Sequence, residues 1–312
     1  MEISIVVPVL NEKENIPALC ERIISALSQV TSDFEILFVD DGSRDGSIEL
    51  LQEAHAGDPR IRALVFSRRF GHQAALTAGL DHAQGQAVVT MDGDLQHPPE
   101  VILAMFRQWK NGFEIVHAIR SDHPGEPPLK SLTSRAFYWI FNKMSGVTLP
   151  PHAGEFRLLD RKVVASLKRF RERGRLLRGL SSWVGYRTAQ VEYAAGPRER
   201  GLSKYSVVDM LALAADGIIS FSSIPLFMGV WAGFALGIVT LGYVAFALYA
   251  RFISHAVIPG WTSIAVLIGG VGSVQLLVMG LIGIYAGKIY EEVKQRPLYL
   301  IQGTIGVDDP AA

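Results

Sequence analysis

The 312-residue chain lacks the features that would place it in several common classes. It has a single cysteine, Cys20, so no disulfide framework can form within it. That cysteine falls on the apolar face of an expected helix, where a buried thiol is the ordinary outcome. Formal net charge is zero, from 30 basic and 30 acidic residues, so no global field draws the chain to nucleic acid and no nucleic-acid partner is expected. No Gly-x-Gly-x-x-Gly follows the first apolar run and there is no Walker A sequence, which disfavours a dinucleotide fold of the usual kind and a P-loop. There is no repeat of 20–50 residues and no low-complexity linker. Glu2 and a short branched run open the chain, so no secretory leader is expected. The most informative absence is local. Residues 217–250 contain no Asp, Glu, Lys or Arg, and residues 252–287 contain none either.

A membrane-spanning helix needs roughly 20 apolar residues. Both uncharged stretches are long enough, and 226–250 with 262–287 reads as a transmembrane hairpin within 225–287. The connection between them carries one basic residue, Arg251, whereas the outer flanks carry Arg198, Arg200 and Lys204, and Lys288, Lys294 and Arg296. By the positive-inside rule both termini are expected on the cytoplasmic side of the inner membrane.

The remaining sequence alternates short branched runs with helical spacing. Ile3–Val7, ending at Pro8, Phe34–Val39, Ile61–Phe66, Ala87–Met91 and Glu114–Ile119 read as strands. Helical periodicity lies between them, as in Ile16, Leu19, Cys20, Ile23, Ile24 and Leu27. This alternation predicts an α/β fold with a mostly parallel, doubly wound sheet. In such a sheet the carboxyl ends of the strands share one edge, and ligands bind there. The first strand delivers Pro8, Asn11 and Glu12 to that edge; the second, Asp40 and Asp41; the third, Ser67, Arg68, Arg69, Gly71 and His72; the fourth, Asp92, Asp94 and Gln96. A carboxylate such as Asp40 can accept hydrogen bonds from a base or ribose, and arginine forks can offset phosphate charge. Asp92-Gly93-Asp94 at a strand end suits a hard divalent cation carrying a diphosphate, although the same residues also make a plain turn with Asp94 as a helix cap.

The order and spacing of four segments carry a resemblance. Ile5-Val6-Val7-Pro8-Val9-Leu10-Asn11-Glu12, Val39-Asp40-Asp41-Gly42-Ser43-Arg44-Asp45, Ser67-Arg68-Arg69-Phe70-Gly71-His72-Gln73 and Met91-Asp92-Gly93-Asp94-Leu95-Gln96 resemble the GT-A-fold, family 2 glycosyltransferases. Within these the chain is most similar to the polyprenyl-phosphate glycosyltransferases, such as bactoprenol glucosyltransferases and dolichol-phosphate mannose synthases. The likeness runs from Ile3 to about Tyr299 and includes Gly201–Ser206 and Ile289–Tyr299 on either side of the hairpin.

The resemblance implies a Rossmann-like GT-A unit over 1–205 with an interfacial helix at 129–146, an amphipathic juxtamembrane helix at 206–224, the hairpin, and a cytoplasmic tail over 288–312. It implies inverting transfer of one sugar from a nucleotide-sugar, UDP-glucose in the first instance, to polyprenyl phosphate. Membrane attachment and a homo-oligomer are implied with it. Pro8, Asn11, Glu12, Asp40, Asp41, Arg69, Asp92 and Gly93 would face the donor. Asp92, Asp94 and Gln96 would hold Mg²⁺ or Mn²⁺. Asp94, Glu155 and His152 are the candidate catalytic residues, and Arg135, Arg157, Arg198, Arg200, Ser203 and Lys204 would meet the acceptor phosphate. Relatives often carry aspartate where this chain has His152. A phosphate monoester is largely ionised at neutral pH and needs placement more than deprotonation, so the departure does not abolish the expected activity. A processive polysaccharide synthase would bring more membrane helices and a Gln-x-x-Arg-Trp sequence, which this chain lacks. A non-catalytic scaffold derived from such an enzyme is the rival from another class. A transporter is a further one, for which two helices are too few without oligomerisation.

Overall fold

The computed structural model describes residues 1–120, 153–194, 224–253 and 260–307. The expected helices at 129–146 and 206–224, and His152, Arg135, Arg198, Arg200, Ser203 and Lys204, lie outside the described residues. The chain divides into two units: one holds residues 1–143, 147–210 and 296–312, and the other holds 144–146 and 211–295.

The first unit is an α/β sheet packed with helices. In order it contains β1 (Ile3–Val9), α1 (Ile16–Leu27), β2 (Phe34–Asp40), α2 (Ser47–Gly57), β3 (Ile61–Phe66), α3 (His72–His82), β4 (Ala87–Thr90), α4 (Val101–Lys110) and β5 (Ile115–Arg120). Then come β6 (Ala153–Asp160), α5 (Arg161–Leu167), α6 (Leu177–Trp183) and β7 (Thr188–Tyr193). A last strand, β8 (Ile301–Ile305), follows the second unit in sequence. The strand order is β7-β5-β6-β4-β1-β2-β3-β8. The centre, β4-β1-β2-β3, is parallel, as the alternation of strands and helices requires. The pair β5 and β7 is also parallel. Two strands run against the rest: β6 between β4 and β5, and β8 on the β3 edge.

Period-two alternation sorts the strands' side chains onto the two faces. Ile3, Ile5, Val7 and Val9 of β1 join Ile16, Leu19 and Ile23 of α1 and Ile102 and Met105 of α4 in one buried cluster. Val6 points the other way, and α3 lies so close that a Cβ on Gly79 would sit 2.1 Å from Val6 Cγ1. That approach admits only glycine and holds α3, with His72 at its start, against the central strand.

Two sequence expectations change, and a strand appears that residue spacing did not reveal. Strand β1 continues through Pro8 to Val9. Its pairing with β4 ends at Val6↔Thr90, while Pro8 still pairs with β2 at Val39. Alternate residues of a parallel strand turn their peptide groups to opposite neighbours, and the Val6 carbonyl accepts from Met91 N–H. The missing N–H of Pro8 therefore faces the side where pairing has ended, and no ladder bond is lost. The stretch 153–160 is a central antiparallel strand. The segment 288–312 is not simply a tail, because Ile301–Ile305 completes the sheet beside β3.

The second unit contains α7 (Ile224–Phe252) and α8 (Trp261–Val293). Within them Leu226–Phe246 and Leu267–Val293 are long and apolar enough to cross a membrane, with mean hydropathies of 1.7 and 2.0. At 1.5 Å per residue, 29 and 33 residues rise roughly 44 and 50 Å, more than the ~30 Å hydrocarbon core requires. The two pack on each other where Gly229 of α7 faces Val278 and Leu281 of α8. Leu241, Leu276 and Leu277 are exposed, which suits a lipid surround rather than water.

Candidate active site

The parallel register of β1, β2, β3 and β4 brings their carboxyl ends to one edge. At the end of β2, Asp40 is fully buried. Its Oδ2 accepts the backbone N–H groups of Gly42 (3.1 Å) and Ser43 (3.0 Å), and its Oδ1 is buried with no hydrogen-bond partner among the described residues. Asp41 reaches sideways. Its Oδ1 accepts Phe70 N–H (2.6 Å) and Gly71 N–H (3.0 Å), tying the β2 turn to the β3–α3 loop. Gly42 makes the approach possible: its φ is +85°, and a Cβ there would stand 3.0 Å from Arg69 N. Arg69 itself is largely exposed, with Nε 4.0 Å from Asp41 Oδ2.

The loops after β1 and β2 are zipped together. Asn11, at a left-handed φ of 56°, donates its N–H to the Ser43 hydroxyl oxygen (2.8 Å) and receives Arg44 N–H on its side-chain oxygen (2.9 Å). Glu12 accepts from Asn15 Nδ2 at 2.5 Å. In this geometry Asn11, Glu12 and Asp41 hold loops, and Asp40 Oδ1 has no partner among the described residues.

After β4 the chain turns at Asp92-Gly93-Asp94. Gly93 is squeezed against β1: a Cβ would lie 3.1 Å from Val9 Cγ1 and 3.3 Å from Pro8 O. The Asp92 carboxylate is held by His72 Nε2 (2.8 Å to Oδ1), and its backbone N–H donates to His97 Nδ1 (3.0 Å). Burial opposes ionisation of Asp92. The hydrogen bond from His72 and the nearby charges of His72 and Arg157 outweigh it and hold the carboxyl below the usual range. His97 is itself buried, stacked on Phe156 with centroids 4.9 Å apart. Burial pushes its pKa down against the pull of Asp92 and Asp94. A neutral ring is what accepting the Asp92 N–H requires. Asp94 is exposed, and its Oδ2 receives the side-chain N–H of Gln96 at 2.8 Å.

Asp92 and Asp94 offer hard carboxylate oxygens, and Gln96, with its amide N–H turned to Asp94, keeps its amide oxygen to offer. This donor set fits Mg²⁺ or Mn²⁺. Among the described residues no group of three His, Cys, Asp or Glu side chains forms a closed metal cage.

Antiparallel β6 starts at the edge where β4 ends, which brings Glu155 to the carboxyl end of β4. The Thr90 hydroxyl donates to the Glu155 carbonyl. The Glu155 side chain accepts Gln73 Nε2 at 3.1 Å and an Arg157 guanidinium N–H. Arg157 was expected at an acceptor phosphate. It is instead fully buried, committed to Glu155 and, at 2.7 Å, to the Ser181 hydroxyl. Burial, and then the nearby charge of Arg178, lower its pKa to about 9, so it stays cationic at neutral pH. Gln73 bridges the assembly, because its oxygen also accepts Leu177 N–H at 3.0 Å.

Gln73, His97 and Ser181 were not among the residues singled out from the sequence. Gln73 and His97 each lie within two residues of one that was, His72 and Gln96, and that adjacency was the available signal. Ser181 had none, because its contact with Arg157 spans 24 positions.

Comparison with known proteins agrees with this architecture. The family model described as "Glycosyl transferase family 2" matches residues 4–167. The uncharacterized glycosyltransferase YkcC of Bacillus subtilis (strain 168) is 42% identical over 309 residues, 99% of this chain and 96% of that protein. The bactoprenol glucosyl transferase of Shigella phage SfII is 38% identical over 302 residues, covering 97% of this chain and 98% of that one. A prophage bactoprenol glucosyl transferase homolog of Escherichia coli (strain K12) is 37% identical over 302 residues, 97% and 99% of the two chains. A solved glucosyl-3-phosphoglycerate synthase from Mycobacterium tuberculosis gives a TM-score of 0.45 at 20% identity over 70% of this chain and 77% of that one, a distant likeness. With the family match over more than half its length and these relatives along nearly all of it, the chain belongs to glycosyl transferase family 2 and is a glycosyltransferase.

Proposed function

We propose that this glycosyltransferase moves a single sugar from a nucleotide-sugar to polyprenyl phosphate, with inversion, at the cytoplasmic face of the membrane. UDP-glucose is the first donor to test. The observation that carries the donor side is the strand edge itself, where Asp40 Oδ1, buried without a hydrogen-bond partner among the described residues, and the Asp92–Asp94 pair lie at the carboxyl ends of β2 and β4, on either side of β1. What supports the acceptor is the full-length similarity to bactoprenol glucosyl transferases and the pair of apolar helices. Basic residues flank those helices on their outer sides, which favours a cytoplasmic catalytic unit.

In this reading the buried Asp40 oxygen takes an N–H or O–H of the nucleoside. Asp92 and Asp94, with Gln96, hold a divalent cation against the donor diphosphate. When bound, that cation supplies Lewis-acid stabilisation of charge on the departing diphosphate. His72 and His97 fix Asp92 from its side chain and its backbone, so the carboxylate is presented in one orientation. Arg69, exposed at the same edge, offsets phosphate charge. Glu155 is held at both oxygens by Gln73 and Arg157, which makes it a fixed anion able to orient an acceptor. His152, and Arg135, Arg198, Arg200, Ser203 and Lys204, remain assigned to the acceptor side.

The test uses the purified full-length protein with undecaprenyl phosphate and a panel of labelled nucleotide sugars, with Mn²⁺ and with EDTA. Transfer of one sugar, lost on chelation and in Asp94→Asn, is expected. No transfer from any donor sinks the acceptor and donor assignment, and transfer that survives chelation sinks the metal role.

A further inference from the structure

Chain exit from α8 is abrupt. Gln295 adopts a left-handed φ of 46°, Pro297 follows, and by Ile301 the chain is paired with β3. The short strap between, residues 296–300, is fastened along its length. Arg173 donates to the Arg296 carbonyl. Ser67 N–H donates to Leu300 O at 3.0 Å. The Tyr299 hydroxyl donates to Asp81 Oδ2 at 2.9 Å, a carboxylate also gripped by Arg171 at 2.7 Å. Burial first, and then the Asp81 charge, raise the Tyr299 pKa, so the phenol remains a donor throughout the working range.

The Tyr299 ring continues inward. It stacks on Phe66, the last residue of β3, with centroids 5.4 Å apart and planes 12° from parallel. Phe66 meets Phe70 edge-on at 5.5 Å, and the Arg68 guanidinium lies over the Phe70 ring at 4.1 Å. Phe70 and Gly71 supply the backbone N–H groups that bind Asp41, and the next residue is His72, the partner of Asp92. An unbroken series of contacts thus runs from the strap to both carboxylate turns. Backbone pairing of this strand with the C-terminal segment ends at the Ser67–Leu300 bond. Beyond Ser67 the N–H groups of Phe70 and Gly71 go to the Asp41 side chain and the Phe70 ring packs on Phe66, so side chains set the course of the loop.

We propose that Tyr299 is a positioning residue for the donor site, setting the conformation of loop 67–72 through the Tyr299–Phe66–Phe70 ring series. The segment after the second apolar helix then belongs to the donor-binding machinery. This rests on the reading of that edge as the nucleotide-sugar site, and the experiment separates the two. Full-length wild type, Tyr299→Ala and Tyr299→Phe are compared in detergent micelles. UDP with Mn²⁺ is the titrated ligand, and hydrogen exchange is followed by mass spectrometry on peptides covering 67–72 and on peptides from β1 and β2.

Loss of one aromatic stack predicts roughly ten-fold weaker UDP binding for Tyr299→Ala, with faster exchange confined to 67–72. Tyr299→Phe keeps the stack and should restore binding to within about three-fold of wild type. Unchanged exchange at 67–72 in Tyr299→Ala overturns the proposal, and so does faster exchange spread equally over β1 and β2, which marks Tyr299 as scaffold. If wild type fails to bind UDP, the nucleotide reading falls, while the exchange comparison still decides whether Tyr299 governs the loop.

Discussion

Arg157 is the residue whose replacement should reveal most about the site. Its guanidinium is sealed inside the first unit, with Glu155 and Ser181 as its hydrogen-bond partners, and Glu155 is only 13% exposed. Arg157→Met removes the cation and leaves a largely buried carboxylate with Gln73 as its side-chain partner among the described residues. Breaking a buried pair from one side costs about 3–5 kcal/mol, because the remaining charge is desolvated without compensation. Glu155→Met strands the arginine instead and should cost a similar amount. The double variant removes both charges and should recover about 2 kcal/mol or more relative to the sum of the singles. Thermal unfolding of the full-length protein in detergent reads this as a drop of roughly 6–20 °C for each single change, at ~2–4 °C per kcal/mol. Arg157→Lys keeps a charge but not the fork that spans Glu155 and Ser181, so it should fall between wild type and Arg157→Met. Strict additivity, or a loss under about 1 kcal/mol for Arg157→Met, refutes the coupling and with it the claim that Arg157 holds Glu155 in place.

Two further outcomes follow from local geometry. His117 pairs across the sheet with Arg157, is 2% exposed, and has its pKa lowered to about 3, first by burial and then by the Arg157 charge. The unfolded chain binds a proton below its ordinary value near 6.5 that the folded ring refuses. Stability should therefore fall as pH drops through 6.5, by about 2 kcal/mol at pH 5. His117→Gln should flatten this slope in denaturant titrations at pH 7 and pH 5, and an unchanged slope counts against a neutral buried His117. Gly42→Ala forces a side chain into φ +85° against the Arg69 backbone. A loss of about 1–2 kcal/mol in stability is expected, with UDP binding weakened beyond that loss because both carboxylate turns shift. Equal binding in the variant shows that the contact between the β2 turn and residues 68–69 does not shape the donor edge.

How much of this was legible beforehand depended on the range of each interaction. Residue spacing alone located β1 to β5 to within two residues, because burial on a parallel sheet demands near-continuous branched runs. It also located both apolar helices, because absence of charge over such lengths has few other physical meanings. The edge that gathers Asp40, Arg69, Asp92 and Asp94 followed directly from parallel topology. Pro8 misled as a strand terminator, since nothing local says that its missing N–H faces an unpaired side.

Sequence by itself determined the parallel centre, the strand-end polar groups and the helix pair, because each is written in neighbouring residues. Only tertiary structure decided how those groups are used. Asp40 keeps an oxygen without a partner among the described residues whereas Asp41 ties down a loop, although both sit on one turn. Glu155 and Arg157 lie on an antiparallel central strand, and Arg157 is spent on Glu155 and Ser181 rather than turned outward. Residues 301–305 return to pair with β3 across more than 230 positions of chain. Long-range pairing and side-chain commitment depend on which elements meet in space, and residue spacing along one segment carries no record of that.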